Sequence, residues 1–129
     1  MIAVDTSALM AILLDEPEAS ACIAALASDD KLLISAGTVA EALIVSARRN
    51  IGTEMAGLID GLGFEIISTT AASARRIAEA YAAWGKGVHP AGLNFGDCFA
   101  YEVAKEHGCR LIYVGTDFAK TDVQAVLTP

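Results

Sequence analysis

Positive charge is scarce in this sequence: 9 lysines and arginines face 16 aspartates and glutamates, giving a formal charge of −7. That balance excludes the broad basic face with which DNA-reading domains neutralise phosphates, so any nucleic-acid partner must be held by local charge. The adjacent pairs Arg48–Arg49 and Arg75–Arg76 are candidate positive spots, and such pairs ordinarily lie on solvated helix faces. Cysteine is equally sparse. Cys22, Cys98 and Cys109 cannot all pair within one chain, and neither they nor the nearby His107 have the spacing of a zinc site. They are expected as small buried residues in a reducing compartment. No apolar run approaches the ~18 uninterrupted residues of a membrane span, and Asp5 interrupts the stretch that a signal peptide would need. The expected location is the cytoplasm.

What the sequence does hold is apolar bulk. With 129 residues, 54% of them hydrophobic, the chain can bury one core and is short of two ordinary domains, so residues 1–129 are read as a single domain. No internal repeat, low-complexity tract or linker interrupts it. "MIAVDT" reads as a short buried strand closed by an acid, after which "SALMAILL" takes helical spacing. A helix follows Pro17, with Ala21, Ile23, Ala24 and Leu26 as its apolar positions. "KLLIS" is a strand and "AGTVAEALIVSARRN" a helix with Val39, Ala42, Leu43 and Ala47 at helical spacing. "IGTEMAGLIDGLG" gives a shorter helix, "FEIIS" a strand, and "TTAASARRIAEAYAAWG" an alanine-rich helix of high propensity. The loop "KGVHPAGLN" leads to the helix "FGDCFAYEVAKEHG", whose apolar stripe is Phe99, Ala100, Val103 and Ala104, and "CRLIYV" is the last clear strand. Apolar strands alternating with helices predict an α/β fold, a central parallel sheet covered by helices.

In open parallel sheets ligands bind at the carboxyl ends of the strands, where loops and helix N-termini converge. Asp5 ends the first strand and Asp117 follows the last, while Glu41 and Asp97 lie in the opening turns of helices. Each has an ordinary structural explanation. Thr38 with Glu41 has capping-box spacing, Asn94 with Asp97 makes a similar cap, and Asp117 suits a turn. Asp5 resists such a reading, since a carboxylate closing an apolar strand is costly unless it is paired, hydrogen-bonded or metal-bound. Four acids converging on one edge of a sheet favour a charged site over four separate structural roles.

Clustered carboxylates repel, and a divalent cation removes the conflict. Oxygen ligands without nearby His or Cys point to Mg²⁺ or Mn²⁺, which can polarise a phosphoryl oxygen and lower the pKa of a bound water. The implied reaction is phosphodiester hydrolysis. Thr6, Ser7 and Thr116 stand beside the acids, where hydroxyls could orient the carboxylates, and local caps and turns explain them equally well. Arg48, Arg49, Lys86 and Lys120 are candidates for contacts to a nucleic-acid backbone.

The segments "MIAVDTSALMAILLDEPEA", "ISAGTVAEALIV" and "NFGDCFAYEVAKEHGCRLIYVGTDFAKTDV" resemble, in order and over nearly the whole chain, the PIN-domain ribonucleases, specifically the VapC toxins of type II toxin–antitoxin systems. Carried over by position, that family's acidic metal ligands fall on Asp5, Glu41, Asp97 and Asp117, the same set that placement singles out, with Asp122 as a possible helper outside the ligand set. The resemblance implies a PIN-like three-layer sandwich and a Mg²⁺- or Mn²⁺-dependent endoribonuclease that inhibits translation. It also implies a homodimer and neutralisation by a cognate VapB-like antitoxin.

Other chemistries begin with a strand-end aspartate. A haloacid-dehalogenase-like phosphatase needs a second aspartate two residues after the first, where this sequence has Ser7. A receiver-like phosphoacceptor module needs a lysine ending its last strand, where Val114, Gly115 and Thr116 stand. A catalytically silent binding domain would have no use for the complete acidic set.

Overall fold

The computed structural model describes residues 1–127. Four short strands, β1 (Ile2–Val4), β2 (Leu32–Ser35), β3 (Glu65–Ile67) and β4 (Arg110–Ile112), form one all-parallel sheet in the order β3-β2-β1-β4. The helices are α1 (Thr6–Leu13), α2 (Ala19–Ala27), α3 (Ala36–Arg48), α4 (Gly52–Leu62), α5 (Ala71–Trp84) and α6 (Phe95–Glu106), and a 3₁₀ turn spans Phe118–Lys120.

Because side chains alternate across a strand, the sheet feeds two cores. Ile2 and Val4 of β1, Leu32 and Ile34 of β2 and Ile112 of β4 point to one side, where Leu9, Cys22, Leu26, Ala42, Met55 and Ile59 of α1 to α4 cover them. Ala3, Leu33 and Leu111 point to the other, against Ile77 and Ala80 of α5 and Cys98, Ala100, Tyr101, Val103 and Ala104 of α6. β1 and β2, buried on both faces, read as continuous apolar runs, as the sequence predicts, whereas the edge strand β3 exposes Glu65 and Ile66. Asp5 follows the innermost of them directly, and its amide donates to the carbonyl of Ile112 at 3.1 Å.

Two helices sit differently from expectation. The cap of α3 is Ser35, which ends β2 and accepts from the Gly37 amide at 3.2 Å, so Thr38 lies inside the helix. The Thr38–Glu41 pair is therefore no capping box. Thr38 is fully buried and its hydroxyl finds no partner among the described residues. The buried face of α3 runs through Thr38, Ala42 and Ser46, leaving Leu43 and Ile44 exposed. On α2 the inward residues are Ala19, Cys22 and Leu26, and Ile23 faces out. The Asn94 cap holds as expected: its side chain accepts from the Asp97 amide at 2.8 Å, and Asp97 accepts from the Asn94 amide at 3.0 Å.

Arg76 is not on a purely solvated face. It bridges Glu102 at 2.9 Å and Glu106 at 3.3 Å, tying α5 to α6 around a buried glutamate. No helix of the described residues is long and apolar enough to cross a membrane.

Candidate metal centre

Asp5 caps α1 as it leaves β1: its Oδ2 accepts from the Ser7 amide at 3.0 Å and from the Ser7 hydroxyl at 2.7 Å. Ser7 Oγ in turn accepts from the Val114 amide at 3.0 Å, joining the start of the chain to the segment after β4. The other carboxylate oxygen of Asp5, Oδ1, is buried with no partner among the described residues. Burial pushes the Asp5 carboxyl up to about 7 against Ser7's two hydrogen bonds, and the charges of Asp97 and Glu41 raise it further. Desolvation also leads at Asp97, which is pushed up to about 6, with Glu41 and Asp117 adding repulsion.

These causes identify neighbours: Asp5, Glu41 and Asp97 share one field, and Asp117 reaches it through Asp97. Glu41 is fixed from two sides. Its Oε1 accepts from the Thr6 hydroxyl at 2.6 Å, and its Oε2 fills the space that a Cβ on Gly96 would need. The close approach that a glycine permits at position 96 is thus to Glu41. Asp117 is exposed, at the start of the 3₁₀ turn, and makes no side-chain cap there. Among the described residues no three His, Cys, Asp or Glu side chains stand close enough to form a ready-made ion cage.

Of the hydroxyls beside the acids, Thr6 holds Glu41, Ser7 holds Asp5, and Thr116 is exposed. Asp122 is engaged elsewhere, accepting from Tyr101 Oη at 2.6 Å and from Lys105 Nζ at 3.1 Å, one and two turns along α6 from Asp97. The basic candidates separate as well. Lys86 donates its amide to Leu93, just before the α6 cap, and the Lys120 amide bonds Asp117, whereas Arg48 and Arg49 end α3, roughly 10 Å along the helix from Glu41.

A divalent cation fits this donor set. It is all hard oxygen, one buried lone oxygen lacks a partner, and the mutual repulsion has no cationic side chain among its causes.

The PIN domain family model matches residues 2–124. The chain belongs to the PIN-domain family. Within it, this PIN protein groups with the VapC ribonucleases. It is 40% identical over 129 residues to Ribonuclease VapC30 of Mycobacterium tuberculosis, covering 98% of each chain. It is also 40% identical over 126 residues to Ribonuclease VapC of Mycolicibacterium smegmatis, covering 95% of this chain and 98% of that one. In fold it is similar to Mycobacterium tuberculosis VapC20, described as a sarcin-ricin loop cleaving toxin, with a TM-score of 0.80, 17% identity, and coverage of 99% and 100%. It is likewise similar to a toxin–antitoxin complex from Klebsiella pneumoniae, with a TM-score of 0.71, 20% identity, and coverage of 95% and 93%. The phosphoacceptor alternative loses its ground in the topology: a receiver-type sheet places its first strand between the second and third, and here β1 lies between β2 and β4.

Two features escaped the sequence reading. The buried Thr38 hydroxyl was hidden by its resemblance to a cap. Phe95 is 71% exposed at the start of α6, and an aromatic off the helix's apolar stripe was the available signal.

Proposed function

We propose that this chain, residues 1–129 acting as one unit, is a Mg²⁺- or Mn²⁺-dependent endoribonuclease toxin. In this reading it hydrolyses RNA phosphodiester bonds in the cytoplasm, inhibits translation, and is neutralised by a cognate VapB-like antitoxin. The observation that carries the proposal is Asp5 Oδ1, a buried acceptor without a donor, set beside Asp97 and Glu41.

Asp5, Glu41 and Asp97 would hold the cation, with the exposed Asp117 completing the set from the solvent side. When bound, the ion supplies Lewis-acid polarisation of the phosphate and a lowered pKa for attacking water. The residues of the chain orient the ligands: Ser7 directs Asp5, Thr6 directs Glu41, and the absent side chain at Gly96 leaves Glu41 room to turn inward. The Asn94 amide holds Asp97 Oδ2 at the start of α6, where the helix dipole favours an anion. Arg48, Arg49, Lys86 and Lys120 are the candidate cations for neighbouring phosphates, the last two anchored by backbone bonds beside the α6 cap and Asp117.

One solved neighbour in fold is a toxin–antitoxin complex, which supports an antitoxin partner, and a homodimer is part of the same reading. Expression without an antitoxin should arrest growth and create new 5′ ends in cellular RNA, and Asp97→Asn should do neither. Arrest by both proteins alike would remove nuclease action as the cause.

A further inference from the structure

Between α3 and α6 runs a groove of about 310 Å³ whose walls are Ala40, Ile44 and Val45 on one side and Phe95 and Phe99 on the other. Glu41 and Gly96 also line it, so one candidate metal ligand borders the groove. Phe95 is 71% exposed, the most open of the large hydrophobic side chains described, and Ile44 opposite is 60% exposed. The Phe95 ring is held edge-on by Phe99, with centroids 5.0 Å apart and planes at 84°. Phe99 is itself clamped, because its ring occupies the space of a Cβ at Gly37. An exposed phenyl ring with a rigid support has a fixed face to offer.

We propose that Phe95 is a stacking platform for an unpaired base of the RNA, next to the nucleotide whose phosphate is cleaved. This rests on the ribonuclease reading above and adds a binding residue to it. Three observations select a base as the occupant. Glu41, a candidate metal ligand, lines the groove, so whatever fills it lies beside substrate held there. The walls are apolar, with the paired Phe95 and Phe99 rings presenting an aromatic surface to a flat ring. The charge of −7 means that attraction to phosphates cannot supply the usual share of affinity, and stacking is a contribution that neither requires positive charge nor depends on base identity.

The test uses the cleavage-deficient Asp97→Asn protein and a fluorescein-labelled single-stranded oligoadenylate, with Mg²⁺ present. Adding Phe95→Ala should raise Kd about 10-fold, the loss expected for one stacked base, without changing the slope of log Kd against log salt. Phe95→Trp should preserve binding, and its added indole emission should be quenched by the oligonucleotide. Unchanged affinity in Phe95→Ala, or failure of the Asp97→Asn protein to bind the oligonucleotide, overturns the platform. So does a Phe95→Ala protein whose only change is its oligomeric state in sedimentation, which would assign the ring to a contact between copies. The nuclease reading is judged separately, by cleavage of total RNA by the wild-type chain with Mn²⁺. Cleavage by wild type and Phe95→Ala with equal KM discards the platform and leaves the nuclease standing.

Discussion

Glu41 Oε2 occupies the volume that any side chain at Gly96 would claim. The contact joins the second turn of α3 to the first turn of α6, and it depends on a glycine for want of a methyl group, with no unusual backbone angle involved. Gly96→Ala should therefore leave the fold intact, because the group that must move is the far end of a flexible side chain. Displacing it breaks the Thr6–Glu41 hydrogen bond of 2.6 Å and turns a ligand away. Cleavage should fall roughly 100-fold, as for losses around metal ligands, with a melting temperature close to wild type. A Gly96→Ala protein with full activity would remove Glu41 from the site.

Asp5 and Asp97 should trade stability for function. Both carboxyls are raised, to about 7 and about 6 against an ordinary 3.8, chiefly by burial. Asp5→Asn keeps an acceptor for Ser7 and removes the buried charge, which should stabilise the metal-free protein by on the order of 2 kcal/mol at pH 8. For a chain of this size that is roughly 5–10 °C in thermal unfolding with EDTA. The same substitution should abolish cleavage. A lower melting point in EDTA would mean that the carboxylate is satisfied by something other than a cation.

The same two groups set the sign of the pH dependence. Folded, they bind protons more tightly than when unfolded, so their contribution is fully present below about pH 4 and is lost as pH rises through about 6 and 7. Metal-free protein should melt at progressively lower temperature across that window. Saturating Mn²⁺ should flatten the trend, since the ion replaces the protons and its binding releases them. A stability that rises from pH 5 to 7.5 in EDTA would contradict the burial of Asp5.

Ser7 bonds both Asp5 and the Val114 amide. Ser7→Ala should weaken Mn²⁺ binding by roughly 10- to 100-fold in calorimetry and cost about 1–3 kcal/mol of stability from the amide left without its acceptor.

Tyr101 provides the contrasting control. Its hydroxyl receives the Trp84 indole N–H at 3.0 Å and donates to Asp122 at 2.6 Å, away from the carboxylate group. Tyr101→Phe should cost about 1–2 kcal/mol in denaturant unfolding and leave cleavage within about twofold of wild type.

The sheet and its helices were legible because the central strands β1 and β2 are apolar runs, the edge strands keep apolar pairs beside Glu65 and Arg110, and turns or caps separate the helices. The acids were legible for a related reason: Asp5 and Asp117 follow strands, Asp97 forms a cap with Asn94, and in a parallel sheet these positions converge. Local pattern failed where one residue could serve two geometries. Thr38 and Glu41 have capping-box spacing, yet Ser35 ends β2 and takes the cap, so the helix starts earlier and Thr38 turns inward. The outward placement of Ile23, Ile44 and Phe95 was likewise beyond periodicity, which gives a stripe and not its rotation against the sheet. Asp122 was close to the motif in sequence and is tied to Tyr101 and Lys105 in space.

The Ser7–Val114 bond spans 107 positions, and β1 takes its place between β2 and a strand that begins at Arg110. Asp5 is therefore translated among the first residues and positioned among the last. A chain still being made cannot hold Asp5 in this arrangement until the segment after β4 has emerged, so the two ends of the fold must meet before the carboxylate is fixed.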